Sequence, residues 1–192
     1  MNTTNTGLVE IYKSSQTVFN IPGLALIWKA TDPKLIKSRI NYYVKTGKIL
    51  SPRNGIYAKD NFDPMELATK IYTPSYVSLD TVLRKAGVIF QYSTQITVIS
   101  YVSRHLVIGD LQIAYRKIKP DILLNLTEIQ NVGNYYTASP ERAFLDSLYL
   151  QGPIHFDNLN PLNWNTCRKL ANIYKNKNLL KLVDAYARHH KT

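Results

Sequence analysis

The stretch Thr31–Ala58, TDPKLIKSRINYYVKTGKILSPRNGIYA, reads as a cationic helix followed at once by a tight two-stranded hairpin. Asp32 is placed to cap the first free amides, and Pro33 suits the first helical position. Gly47 supplies the stop, because a residue tolerant of positive φ ends a helix cheaply. At about 100° per residue, Ile36, Ile40, Tyr43 and Val44 gather on one side. Lys34, Lys37, Ser38, Asn41 and Lys45 fall on the other, and no acidic residue follows Asp32 in the helix. A wet helix face normally mixes signs, so one-sign loading with amide and hydroxyl groups points to a phosphate-bearing partner. Lys48–Ser51 and Ile56–Ala58 have strand character, with Pro52-Arg53-Asn54-Gly55 between them. Asn54-Gly55 is a strong hairpin signal because both residues accept φ > 0. Arg53 is expected at the hairpin tip, where its fork can reach a phosphate or enter a minor groove.

Upstream, Leu8–Ser15 carries Leu8, Ile11 and Tyr12 at helical spacing, and the polar Met1–Thr6 is expected to fray. Thr17-Val18-Phe19 is short and β-prone. Asn20 is placed to cap a second helix, Ile21–Lys29, with Pro22 tolerated in its first turn. Helix, short strand, helix, helix and two strands is the order of a winged helix-turn-helix. The small strand would be the third member of the wing sheet. Asp60-Asn61-Phe62-Asp63-Pro64 breaks the pattern, which predicts a DNA-binding domain over 1–60 and a second domain over 61–192.

The 192 residues can bury a substantial core in one or two domains. A formal charge of +11 favours a polyanionic partner. Through Asp60 there are nine Lys/Arg against three Asp/Glu, and fifteen against ten in the far longer remainder. Basicity is therefore densest in the first third. One cysteine, Cys167, excludes an intrachain disulfide framework and fits a reducing cytoplasm. No apolar h-region opens the chain, and the longest uncharged stretch, Ala86–Ser103, is broken by Gln91, Ser93, Thr94 and Gln95. Neither a secretory signal nor a membrane span is expected. The fourteen tyrosines fall mostly in apolar-periodic segments, which suits core or interface use.

In the second domain, Met65–Tyr72 reads as a helix, and Ser78 is expected to cap another over Leu79–Lys85, closed by Gly87. A β-rich stretch follows: Gln95–Ser103, Leu106–Ile108, a turn at Gly109-Asp110, Leu111–Ile118, and Tyr135–Thr137. Ser139 caps and Pro140 opens a helix to Leu150, and Asn165–Tyr174 and Asn178–Arg188 are helical. The expected class is α+β: a winged helix-turn-helix, then a mainly antiparallel sheet flanked by helices.

Catalytic patterns are wanting. His105, His155, His189 and His190 show no ligand spacing among themselves or with Cys167. The pair His189-His190 reads as a solvated helix end, and Cys167 as a plain helical cysteine. Glu141 and Asp146 point about 140° apart on one helix, which suits a first-turn carboxylate and a separate polar contact. No glycine-rich phosphate loop is present. The sequence predicts a non-enzyme without metal or cofactor. Arg116, Lys117 and Lys119 form a second basic cluster, split between two faces of a strand; a solvated strand end is the plain alternative to a phosphate or partner contact.

Four segments resemble one known family. Asn54-Gly55-Ile56-Tyr57-Ala58 resembles its wing, and Met65–Leu79 its connecting helix and the motif that follows. Tyr115-Arg116-Lys117-Ile118 and Ala138-Ser139-Pro140-Glu141-Arg142-Ala143-Phe144-Leu145-Asp146 complete the set, in the same order. They look like AbiEi-type proteins, the antitoxin and transcriptional-regulator half of type IV toxin–antitoxin systems. The resemblance covers about Leu8 to Leu150, with Asn54 standing where the family often has a basic residue. It implies an N-terminal winged helix that binds inverted repeats at its own promoter and represses it. It also implies a C-terminal domain that counters a nucleotidyltransferase toxin without a stable complex.

The expectation is a sequence-specific DNA-binding repressor in the cytoplasm. Asn41 and Ser38 would read base edges, while Lys34, Lys37, Lys45, Lys48 and Arg53 would anchor phosphates. Arg39, at the flank of the core face, is placed to snorkel or pair internally. Without coiled-coil heptads, a monomer or weak dimer off DNA is expected, with two copies on an inverted repeat. Two alternatives stay open: a protein-interaction module whose basic face takes an acidic partner or toxin, and an RNA binder.

Overall fold

The structure is a computed structural model describing residues 3–189, with side chains over 6–188. It is mixed α+β and divides into two compact units, Met1–Ile71 and Tyr72–Thr192.

In the first unit the order is α1 (Thr3–Lys13), β1 (Val18–Asn20), α2 (Ile21–Trp28), α3 (Pro33–Lys45), β2 (Leu50–Arg53), β3 (Ile56–Ala58) and α4 (Pro64–Ile71). The helix starts follow from local chemistry. Asn20 Oδ1 accepts from the Gly23 amide at 2.9 Å, and Asp32 Oδ1 from the Lys34 amide at 2.8 Å. Lys29, left-handed at φ 49°, ends α2 and turns the chain toward α3. The three strands form an antiparallel sheet in the order β1-β3-β2.

Three sequence expectations shift here, the first being that α1 starts at Thr3, inside the segment expected to fray. Pro52 and Arg53 belong to β2, so the turn is Asn54-Gly55 alone, with Arg53 opposite Ile56. A proline is tolerated because β2 is an edge strand beside a register shift. The divide between units falls after Ile71, not at Asp60. Glu66, on α4, is buried and accepts from the Thr17 amide at 2.9 Å and the Thr17 hydroxyl at 2.6 Å. That hydroxyl in turn accepts from the Asp63 amide, so α4 is tied to the residue preceding β1.

The second unit contains β4 (Ser75–Val77), α5 (Asp80–Lys85), β5 (Ile96–Ser100), β6 (Arg104–Ile108), β7 (Leu111–Lys117), α6 (Pro120–Leu123), β8 (Ile129–Val132), β9 (Tyr135–Ala138), α7 (Pro140–Gln151), α8 (Trp164–Ala171), a 3₁₀ turn (Asn172–Tyr174) and α9 (Lys177–His189). Its six strands run β6-β7-β5-β4-β9-β8. The sheet is mixed: the three pairings β6–β7, β5–β4 and β9–β8 are antiparallel, in line with the mainly antiparallel sheet expected, while β4–β9 and β5–β7 are parallel. The hairpin at Gly109-Asp110 pairs β6 with β7 and sends β6 to the edge, so β5 meets β7 side by side in the same direction.

Ser78 does not cap α5. Leu79, at φ 56°, stands in the cap position, and the Ser78 hydroxyl donates to Asp146 at 2.8 Å. Asp146 and Arg142, both fully buried on α7, form the polar centre of this unit. Asp146 also accepts from the hydroxyls of Tyr76 at 3.1 Å and Tyr174 at 2.7 Å. Arg142 donates to the carbonyls of Ile122, Asn125 and Thr127. One helix therefore fastens β4, α6 and the 3₁₀ turn. The side chains of His189 and His190 lie outside the described residues.

Candidate nucleic-acid interface

The core of the first unit determines which face of α3 meets solvent. Ile36, Ile40 and Tyr43 are buried with Ile11, Phe19, Leu24, Trp28, Ile49 and Tyr57. Trp28 Nε1 donates to the Gly7 carbonyl at 2.9 Å, and the Trp28 and Tyr43 rings meet edge to face at 6.2 Å. With its apolar stripe held inward, α3 turns Lys34, Lys37, Ser38, Asn41 and Lys45 to solvent. These five lie within an arc of roughly 100°. Ser38, Asn41, Tyr42, Val44 and Lys45 line a shallow hollow along it.

From Pro33 to Lys59 the chain carries no Asp or Glu, so neither α3 nor the hairpin supplies a carboxylate to the cations on this face. Arg39 is withdrawn from the face: its guanidinium sits over the Trp28 ring at 5.1 Å. Lys59 is also internal. Its ammonium donates to the Ser14 carbonyl at 2.6 Å and the Tyr12 carbonyl at 3.4 Å. Burial pulls the Lys59 pKa below its ordinary value, with Glu66 pushing back.

Lys48 and Arg53 belong to the hairpin segment, not to the helical arc. Lys48 is exposed, and its carbonyl accepts from the Tyr12 hydroxyl at 3.0 Å. Arg53 is half-buried at the end of β2, next to the Asn54-Gly55 turn. Sequence reasoning missed Tyr42 and Leu35, which stay 47% and 67% exposed on the flank of the arc. Their signal was present: at about 100° per residue both fall beside Ser38, outside the buried stripe.

Other titratable groups lie in the second unit. Burial raises the Asp146 carboxyl above its ordinary value, with Arg142 and the three hydroxyls opposing. Cys167 is buried on α8, its thiol pushed up to about 12 by burial first and Glu141 second. Glu141 accepts from the Asn163 amide at 3.0 Å, just ahead of α8. His155 lies 3.8 Å from Asp157 on an exposed loop. Among the described residues no three His, Cys, Asp or Glu gather as metal ligands. Of the second basic cluster, Lys117 and Lys119 are exposed and Arg116 is half-buried, and neighbours along β7 alternate between faces. No family model matches the chain, and no curated protein matches it.

Proposed function

We propose that this chain is a sequence-specific DNA-binding repressor built on a winged helix-turn-helix. The observation that carries the reading is the solvent-facing arc of α3, where three lysines, an amide and a hydroxyl stand together without a carboxylate. The surrounding order supports it. Two helices are joined by residues 29–32, and a hairpin completed by the small strand β1 follows. A B-DNA major groove admits one helix. With α3 seated there, Asn41 can bond an adenine edge in two places, and Ser38 can contact either base of a pair. Lys34, Lys37, Lys45 and Lys48 would neutralise phosphates, and Arg53 would extend the contact through the wing. Leu35 and Tyr42 add apolar surface of the kind that meets a thymine methyl.

The biological role we propose is that of an AbiEi-type antitoxin. It would repress its own promoter at an inverted repeat, as two copies, and counter a nucleotidyltransferase toxin from the cytoplasm. This part rests on the four ordered motifs in the sequence. Among the described residues no helix is long and apolar enough to cross a membrane.

Titrating the chain onto its own promoter duplex at several salt concentrations tests the first part. Five phosphate contacts give a log–log slope of roughly −4 to −5. Asn41→Ala should reduce discrimination between promoter and random duplex by about 1–3 kcal/mol, with non-specific affinity retained. A slope near zero, equal losses on all DNA, or stronger retention on structured RNA would refute the reading.

A further inference from the structure

A second cationic surface lies at the far end of the chain. Along α9, Lys177, Lys181, Asp184 and Arg188 are spaced by four, three and four residues, which places them within roughly 60° of one another around the axis. The opposite side is buried through Leu179, Val183 and Ala187. With that stripe packed inward, the cations are held outward together. Arg168 of α8 joins them, its Nε donating to Asp184 Oδ1 at 2.8 Å, while Arg188 Nε donates to the Asp184 carbonyl at 3.3 Å. Arg168, Lys181, Asp184 and Arg188 line one shallow hollow. Lys175 is not part of the set, since it pairs with Asp121 at 3.4 Å.

We propose that this face is a second phosphate-binding surface that takes the backbone of duplex DNA. Among the described residues Asp184 is the carboxylate set beside these cations, and its side chain bonds Arg168. Lys177 and Lys181, four apart on a helix, repel each other, and an external polyanion removes that cost. The run from Lys177 to Arg188 is about 16 Å long on the α-helical rise, enough to follow several phosphates at about 3.4 Å of duplex axis per strand. An acidic protein surface fits less well. Protein interfaces are anchored by buried apolar side chains, and Leu180 is the one large exposed hydrophobic on α8 or α9 among the described residues. That the backbone is DNA rests on the reading of α3; that it is a phosphodiester chain rests on the stripe itself.

The test uses the full chain and the variant Lys177→Gln/Lys181→Gln/Arg188→Gln, whose three sites are exposed and outside the packed face. The probe is a random-sequence 30-base-pair DNA duplex, followed by fluorescence anisotropy. Losing three phosphate contacts should make the log–log salt slope shallower by roughly 2.5. Affinity at low salt should fall at least tenfold, with the promoter-to-random ratio unchanged. An unchanged slope and affinity overturns the proposal. So does an equal loss on polyglutamate, which would mark a generic acid-binding face, or a loss seen with duplex RNA and not with DNA. Failure of the α3 reading has a different signature: no promoter preference and no effect of Asn41→Ala, with the slope change of the α9 variant still present.

Discussion

Replacing Asp146 with asparagine tests whether the buried pair on α7 organises the second unit. Arg142 Nε lies 3.5 Å from Asp146 Oδ1 with both side chains fully buried. In Asp146→Asn the volume is conserved, but the guanidinium loses its only buried counter-charge among the described residues. An amide NH₂ also replaces one of the two oxygens that accept from Tyr76, Ser78 and Tyr174. Breaking a buried ion pair on one side costs about 3–5 kcal/mol, because the remaining charge is stranded in low dielectric. Set against a urea m-value of about 1.5 kcal/mol/M, the midpoint should fall by roughly 2–3 M. Trp164 contacts the Phe144 ring edge-on at 5.9 Å, so a Trp28→Phe background leaves a fluorescence reporter in the second unit. Adding Arg142→Met removes the stranded charge but leaves the carbonyls of Ile122, Asn125 and Thr127 without that donor. The double variant should recover part of the loss, with a coupling energy of about 1–3 kcal/mol. A cost below about 1 kcal/mol, or a coupling of zero, would refute the assignment of Arg142 and Asp146 to one electrostatic unit.

Three further outcomes follow from other packed groups. The Cys167 thiol, buried and raised to about 12, should resist a disulfide reagent at pH 8 in native protein and react fully in urea. Because its folded pKa lies above the unfolded one, the stability it contributes is complete below about pH 8.5 and is lost as pH climbs toward 12. Denaturation midpoints of wild type and Cys167→Ala should therefore converge in alkali, and parallel curves would contradict this. In Gly7→Ala the new Cβ meets Tyr43 Oη at 3.0 Å, Arg39 Cδ at 3.2 Å and Trp28 Nε1 at 3.3 Å. Overpacking of that kind costs about 1–3 kcal/mol, and Trp28 fluorescence should report the lower melting temperature. Thr17→Val removes a 2.6 Å bond to Glu66 and the acceptor for the Asp63 amide. Urea unfolding should register a loss of about 1.5–3 kcal/mol in the first unit, whereas a neutral result would separate α4 from that unit.

The sequence was most legible where a structure depends on its nearest neighbours. Asn20, Asp32 and Ser139 read as caps, and each accepts an amide from the first turn of its helix. The outward arc of α3 was readable too, since a helix with one apolar stripe has one other side. The misses were short or long-range. β4 and β8 are three and four residues long, too short for alternation to declare them. Ser78 precedes a helix as a cap does, yet its hydroxyl is drawn to Asp146, 68 residues away. Lys59 counts as surface charge in composition, yet it holds the carbonyls at the end of α1; Arg39, by contrast, covers Trp28 as its place at the flank of the core face led one to expect.

Periodicity, capping residues and charge order determined the helices, the hairpin and the basic face of α3, because each depends on residues within one or two turns. Tertiary structure alone decided that the larger sheet is mixed, that α4 joins the first unit, and that Arg142 and Asp146 lie beyond solvent. The physical reason is common to all three. Strand order and burial are set by which distant surfaces exclude water together and satisfy one another's polar groups, and no local window of sequence contains both partners.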